Sequence, residues 1–308
     1  MIITLTINPS IDRNLSVDRL VFEDRAYILS SSDSAGGRGI NASRVLQCYG
    51  AKTLAIATSG GPNGERFEKL LKFGFPAKLV RVKHEIRTNF TITDRQGLAI
   101  KMNEPGPLIT PEELKSIEKT VDSRLDGASW LMLCGSIPPG VASDFYTKLI
   151  RRARDRKVKT LLDTDGDALL HGVEAGPTVV TPNQHEAERL LNRALITRAH
   201  FVEAVTRIKA MGPESVLLSL GSRGVVAINE NQLMEVLPPR IDAVSPLGAG
   251  DALAAAYVWA TTKKKDFADC VRWAVAAGTA SARLPGLEFA NLEQTKEIYK
   301  SVEVRITR

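Results

Sequence analysis

Asp251 follows Gly248-Ala249-Gly250 and opens an alanine-rich run, Ala252-Leu253-Ala254-Ala255-Ala256, that favours helix. Bare backbone N–H groups at a helix entry carry about half a positive charge and bind anions. A carboxylate in that turn would repel a phosphate unless it had a task. Beside such a cradle it can take the proton of an attacking hydroxyl, while the amides of Gly248, Ala249 and Gly250 hold the charge spreading over a moving phosphoryl group. Helix capping by Asp251 is the competing reading.

A second glycine turn, Gly36-Gly37-Arg38-Gly39-Ile40-Asn41, also stands before a helix. Its spacing is not that of a dinucleotide fingerprint, and no strand feeds it in the required frame. Gly37 and Gly39 let backbone approach a polar ligand, Asn41 offers donors and acceptors, and Arg38 presents a planar fork for phosphate. A flexible turn with a surface arginine is the alternative. Asp12, just past the first strand, can accept from sugar hydroxyls or merely form a turn. Asn183 and Glu186 lie three apart on the first turn of a helix, where hard oxygens suit Mg²⁺ and where a capping box would look alike. Ser219, Gly221 and Gly224 line a small-residue loop open to a nucleotide phosphate, or a plain hairpin turn.

These residues need a frame. Apolar segments at 2–7, 53–58, 130–134, 159–163, 178–181, 215–220 and 225–228 read as strands. Helical periodicity covers 41–49, 64–72, 111–124, 142–156, 184–192, 200–211, 251–262, 266–283 and 292–301. Their alternation predicts an α/β fold, a mostly parallel central sheet with helices on both faces, whose sites lie beyond the carboxyl ends of the strands. Residues 13–34 and 86–103 break the rhythm with short alternating strands and a hairpin signature at Asp94-Arg95-Gln96-Gly97. They predict a small β-sheet lid that excludes water from the site, or else a decorative hairpin or dimerising surface. Residues 1–12, 35–85 and 104–308 make up the α/β body.

With 308 residues, 44% of them hydrophobic, the chain can bury one large core and a small appendage. Its net charge of +6 is scattered, with clusters only at Lys263-Lys264-Lys265 and Arg151-Arg152-Ala153-Arg154, both like solvated helix ends. No basic recognition helix or aromatic ladder supports a nucleic-acid partner. A basic surface suits ATP and phosphorylated metabolites equally well. Cys48, Cys134 and Cys270 have no paired spacing and read as buried free thiols of a reducing compartment. No signal pattern opens the chain and no apolar run approaches the roughly 18 residues of a membrane span, so the expectation is a cytoplasmic protein without a membrane partner.

The order of the motifs carries more than any one of them. Asn8-Pro9-Ser10-Ile11-Asp12, GGxGIN at 36–41, Gly135-Ser136-Ile137-Pro138-Pro139-Gly140, Pro182-Asn183 with Glu186, Ser219-Leu220-Gly221 with Gly224, and Gly248-Ala249-Gly250-Asp251 together resemble the ribokinase-like carbohydrate kinases of the PfkB type, over essentially the whole chain. Asn103-Glu104-Pro105-Gly106-Pro107 and the stretch from Ile7 to Asp12 look most like the hexose-phosphate branch that holds 1-phosphofructokinase and tagatose-6-phosphate kinase.

The resemblance implies an ATP- and Mg²⁺-dependent kinase of a sugar phosphate, foremost fructose 1-phosphate to fructose 1,6-bisphosphate. Tagatose 6-phosphate, fructose 6-phosphate and, more distantly, ribose or a nucleoside are the alternative acceptors. A regulatory protein that senses sugar phosphate is the non-enzymatic alternative, against which Asp251 argues, since a binder gains nothing from a base. By resemblance Asp251 is the general base, with Gly248, Ala249 and Gly250 as anion hole. Asp12, Gly37, Gly39 and Asn41 hold the sugar, and Arg38 and Arg87 its phosphate. Asn183 and Glu186 organise Mg²⁺, Ser219, Gly221 and Gly224 meet the nucleotide, and adenine lies near Ala274 to Gly278. Family members pair through their lids, which implies a homodimer.

Overall fold

Uninterrupted apolar strands are buried end to end, as Ile2–Thr6 and Trp130–Cys134 are, when helices cover both faces of a sheet. The computed structural model, which describes residues 1–71 and 74–306, has that construction. In chain order the first half comprises β1 Ile2–Thr6, β2 Ser10–Val17, β3 Ile28–Gly36, α1 Arg38–Cys48, β4 Thr53–Ser59, α2 Gly61–Leu71, β5 Ala77–Arg81, β6 Arg87–Thr93, β7 Ala99–Asn103, α3 Pro111–Leu125, β8 Trp130–Cys134 and α4 Phe145–Asp155. The second comprises β9 Lys159–Asp163, α5 Gly166–Glu174, β10 Val179–Val180, α6 Gln184–Leu191, α7 Arg198–Ala210, β11 Ser215–Ser219, β12 Val225–Ile228, β13 Leu233–Leu237, α8 Ala249–Thr262, α9 Phe267–Ala282, α10 Leu292–Lys300 and β14 Glu303–Ile306.

Ten strands form the large sheet in the order β14-β13-β12-β11-β10-β9-β8-β1-β4-β5. Pairing is parallel from β11 to β5 and antiparallel beyond β11. Strand periodicity divides the core: Trp130 and Met132 face one cluster with α1, α8, α9 and α10, whereas Leu131 and Leu133 face the other with α3, α4, α5 and α7. Helix α8 lies between α1 and α9 and is buried at every residue from Ala252 to Ala260. Its alanines permit that close approach. At its far end the Trp259 indole donates to the Tyr49 carbonyl at 3.2 Å, anchoring the helix whose first turn carries Asp251.

The smaller sheet runs β3-β2-β6-β7. It reaches further than residues 13–34 and 86–103, since β2 begins at Ser10 and β3 ends at Gly36. Asp12 is therefore a strand residue paired with Ser34 and Asn89, and the turn reading fails. The hairpin at Asp94 is as expected, with the Asp94 carboxylate accepting from the amides of Gln96 and Leu98, both at 2.9 Å. Helix α1 begins at Arg38 and α8 at Ala249, each earlier than the periodicity indicated, because glycine turns lead straight into them. The helix expected over 64–72 is α2, with Lys72 outside the described residues. Strands β5, β13 and β14 and helix α5 were not expected. Among the described residues no helix is long and apolar enough to cross a membrane.

Candidate active site

Gly248 turns the chain into α8 with φ 73° and ψ 0°, and a Cβ there would come within 2.7 Å of the Phe289 ring, so the turn is restricted to glycine. No side chain caps this helix. Asp251 instead accepts a 2.7 Å hydrogen bond from Nδ2 of Asn41 on α1, which removes the capping reading. Burial and the neighbouring Asp163 push the Asp251 carboxyl up to about 7, while Asn41 and Arg38 oppose the rise. A carboxylate of that basicity, set beside uncapped amides, is suited to accept a proton near neutral pH.

Arg38 and Asn41 lie three apart on the first turn of α1 and share a face. Arg38 Nη1 donates to Asp163 Oδ1 at 2.7 Å, and Nη2 to Asp165 Oδ2 and Glu186 Oε1, both at 3.0 Å. Asp163 ends β9, where an α/β sheet places its sites. From sequence Arg38 belonged to the sugar's phosphate, but three carboxylates take its donors here. Asn183 and Glu186 do form the capping box, each side chain accepting the other's backbone N–H at 2.9 Å. The second Glu186 oxygen faces Arg38, so the residue caps α6 and belongs to the acidic cluster at once. Burial raises the Glu186 carboxyl above its usual range, against the pull of Arg38.

On the lid side, Ser10 pairs with Arg87 and Asp12 with Asn89 across β2 and β6, which puts all four on one face. Ser10 Oγ donates to Asp12 Oδ1 at 2.6 Å, and Asn89 Nδ2 donates to the same carboxylate oxygen at 3.2 Å and to Ser10 Oγ at 3.0 Å. A Cβ on Gly36 would run into the Asp12 carboxylate. Arg87 is held by the carbonyls of Glu104 and Asn8 at 3.0 and 3.1 Å. Burial lowers its pKa, with Asp12 and Asp165 acting the other way. A cavity of 530 Å³ adjoins it, lined also by Ser136, Asp165, Asn103 and the Pro138-Pro139 turn. Among the described residues, Arg87 Nε, Asn41 Oδ1 and Asn8 Oδ1 are buried without a hydrogen-bond partner. Gly37 and Gly39 both press on Thr6 of β1, and Gly39 is buried there, so at least part of their use is to seat α1 against the sheet.

A larger cavity of 1520 Å³ opens at the α8 entry, lined by Asn183, Ser219, Gly221, Gly224, Ala249 and Gly250. The loop after β11 is a short 3-10 turn, Gly221–Arg223, and it leads into an antiparallel partner strand, so it is a hairpin turn as well as a cleft wall. Val275, Gly278 and Thr279 present the cleft-facing side of α9. Ala274, expected there, is fully buried in the core instead, because the helix turns it away from the cleft.

The pfkB family carbohydrate kinase model matches residues 3–294. The chain belongs to this family. It is 28% identical over 98% of its length to 1-phosphofructokinase of Vibrio cholerae, covering 96% of that protein. It is 30% identical to 1-phosphofructokinase of Borreliella burgdorferi, with 92% of each chain covered. The structure of phosphofructokinase-2 from Escherichia coli in complex with substrates and products superposes with a TM-score of 0.91 at 29% identity, over 97% of this chain and 98% of that one. The two-sheet α/β architecture expected from the sequence is thus that of the pfkB carbohydrate kinases.

Within this pfkB chain the site includes residues that sequence reasoning left out. Asp163 and Asp165 bracket the end of a recognised strand, and that position was the available signal. Asn89 stands two residues from Arg87 on an alternating strand, the spacing that shares a face. Nothing local marked Ser10, whose hydroxyl serves Asp12 because β2 begins at it and puts the two on one face.

Proposed function

We propose that this chain transfers the γ-phosphoryl group of ATP to a hydroxyl of a sugar phosphate, with fructose 1-phosphate as its acceptor. The observation that carries the reading is Asp251, an uncapped-helix carboxylate with raised proton affinity, whose neighbours reach both cavities: Gly250 lines the larger, and Asp165, tied to Arg38, lines the smaller. The acceptor hydroxyl oxygen attacks the γ-phosphorus, the bond from that phosphorus to the β–γ bridging oxygen breaks, ADP departs, and the hydroxyl proton passes to Asp251. The amides of Gly248 and Gly250 face the charge on the transferring group, while that of Ala249, expected with them, donates to the Pro246 carbonyl at 3.3 Å. Asp12, Asn41 and the backbone at Gly37 and Gly39 orient the sugar, and Arg87 with Ser136 receives the phosphate it already carries. Ser219, Gly221, Gly224 and Gly278 border the nucleotide. The names of the curated relatives support the hexose-phosphate class.

Among the described residues no group of three His, Cys, Asp or Glu side chains is drawn together closely enough to hold a metal alone. The donor chemistry nonetheless fits Mg²⁺: Asp163, Asp165 and Glu186 supply hard oxygens and one negative charge more than a guanidinium and a monovalent cation could neutralise. Glu186, Asp163 and, through water, Asn183 would hold it, and bound there it would neutralise charge on the nucleotide phosphates.

The smaller sheet, taken as residues 13–34 and 86–103 with the flanks described above, acts in this reading as a lid over the sugar. Its outer surface exposes Phe22, Tyr27, Ile28, Leu98 and Met102. Exposed apolar side chains on both edges of a lid favour its burial against a second copy, and so a homodimer. A coupled ADP-release assay over fructose 1-phosphate, fructose 6-phosphate, tagatose 6-phosphate, ribose and adenosine tests the function. The expected result is the highest kcat/KM with fructose 1-phosphate; turnover confined to ribose or adenosine would overturn it.

A further inference from the structure

We infer that Tyr146 and Thr164 are positioning residues for the acceptor: their two buried hydroxyls lock the Gly135–Ser136 peptide so that the Ser136 amide faces the phosphate of the sugar. The inference rests on the reading of the smaller cavity given above and adds what holds its wall in place. Tyr146, the second residue of α4, and Thr164, just past β9, are both buried. Tyr146 Oη donates to the Gly135 carbonyl at 3.0 Å, with the Cys134 carbonyl 3.3 Å away, and Thr164 Oγ1 donates to the Gly135 carbonyl at 2.9 Å. Two donors thus occupy both lone pairs of one carbonyl. The Gly135 N–H is held as well, donating to the Asp163 carbonyl at 2.8 Å. Two successive carbonyls reach one hydroxyl because Gly135 turns at φ 89°, a conformation that favours glycine.

A trans peptide points its C=O and N–H in opposite directions, and no peptide bond among the described residues is cis. With the Gly135 carbonyl fixed toward the core, the Ser136 N–H is turned to the cavity that Ser136 lines together with Arg87. Among the described residues it donates to no backbone carbonyl. Ser136 Oγ accepts from Asn8 Nδ2 at 3.2 Å, so its own proton is free to donate beside the amide. Pro138 and Pro139, which follow, have no N–H to offer and stiffen the turn. Two carboxylates also border this cavity, but Asp165 is bonded to Arg38 at 3.0 Å and Glu104 accepts from the Thr88 amide at 2.9 Å. An anion there meets the two Ser136 donors and the Arg87 guanidinium, whose Nε has no partner among the described residues. Without the two hydroxyls the peptide is free to rotate, and ordering the amide then costs affinity.

The test combines initial rates over fructose 1-phosphate and ATP with the amide resonance of Ser136, followed in ATP-free protein as inorganic phosphate is added. Tyr146→Phe keeps the buried ring, Thr164→Val keeps the branched shape, and each removes one donor. Each is expected to raise the KM for fructose 1-phosphate about threefold to tenfold, the scale of a single hydrogen bond, with the KM for ATP and kcat within about twofold of the parent. Thr164→Ser, which keeps the hydroxyl, is expected to keep the parent's KM. The Ser136 resonance of the parent is expected to shift with phosphate, and the apparent Kd to rise in both hydroxyl-deleted variants. Variants that lose thermal stability yet keep the parent's KM and phosphate affinity would overturn the inference, since the hydroxyls would then only support the core. A parent whose Ser136 resonance ignores phosphate would overturn it equally. A parent that turns over no sugar phosphate, but whose Ser136 amide binds phosphate more tightly than that of Tyr146→Phe, would sink the proposed function and leave the brace standing. If Tyr146→Phe does not fold, Thr164→Val against Thr164→Ser decides alone.

Discussion

Asn41, in the first turn of α1, donates a 2.7 Å hydrogen bond to the carboxylate of Asp251, in the first turn of α8, across 210 residues of sequence. Two helix entries that look like separate glycine motifs are thereby one device. The bond stabilises the ionised form of a carboxylate that burial and Asp163 would otherwise keep protonated. The oxygen of the Asn41 side-chain amide, Oδ1, has no partner among the described residues and is available to a sugar hydroxyl.

Asn41→Ala is therefore expected to move the acid limb of the pH–rate profile upward. With Asp251 at about 7 in the ligand-free parent, kcat/KM for the sugar phosphate falls as pH drops through that value, because the base is protonated. Loss of the hydrogen bond raises the carboxyl further, so the limb shifts to higher pH and activity recovers in part above it. Profiles of kcat/KM for both proteins decide the matter; a limb that stays in place would mean that another group titrates.

The local pieces of this site were legible in the sequence and their partners were not. Gly248-Ala249-Gly250-Asp251 before an alanine run announces a helix entry because the signal lies within a few residues, and the structure has the entry there. Arg38 finds its carboxylates 125, 127 and 148 positions away, and no local pattern distinguishes a guanidinium aimed at acids from one aimed at phosphate. Asp12 misled for a similar reason: its strand exists by pairing with Ser34 and Asn89, not by its own apolar alternation. Strand β14 carries Glu303 and Arg305 at the antiparallel edge, where only its pairing with β13 reveals it.

Gly36→Ala should weaken sugar binding selectively. The added methyl group meets the Asp12 carboxylate, which Ser10 and Asn89 otherwise hold in place, so either Asp12 turns or β3 shifts. The expected outcome is a raised KM for the sugar phosphate with the KM for ATP unchanged, measured by initial rates over both substrates. A normal sugar KM would show that Asp12 does not contact the acceptor.

Arg87→Ala should raise the KM for a phosphorylated acceptor on the order of tenfold to a hundredfold, the usual worth of charge-assisted hydrogen bonds to phosphate. ATP should be spared. Because Arg87 also ties the lid strand to the carbonyls of Asn8 and Glu104, Arg87→Lys serves as control: it keeps the charge and loses the fork. A partial rescue by lysine indicates charge recognition, whereas equal loss in both variants indicates that Arg87 only braces the lid.

Asp251→Asn should abolish most turnover, by about a hundredfold or more for a lost general base, and at the same time stabilise the fold in a pH-dependent way. The sign follows from the raised carboxyl. In the unfolded chain Asp251 loses its proton near an ordinary value of about 3.9, but in the folded protein only near 7. Below both values the residue is neutral in either state and costs nothing. As pH climbs from one value to the other, the unfolded state sheds a proton that the folded state retains, so the stability of the parent declines, and the decline is complete above 7. Asparagine keeps an oxygen for the Asn41 bond and never ionises. Its Tm should therefore exceed that of the parent at pH 8, with the gap closing toward pH 4, in paired thermal melts without ligand. A gap of equal size at both pH values would mean that the Asp251 carboxylate is not held against its preference for water, and the case for it as a base poised near neutrality would fall.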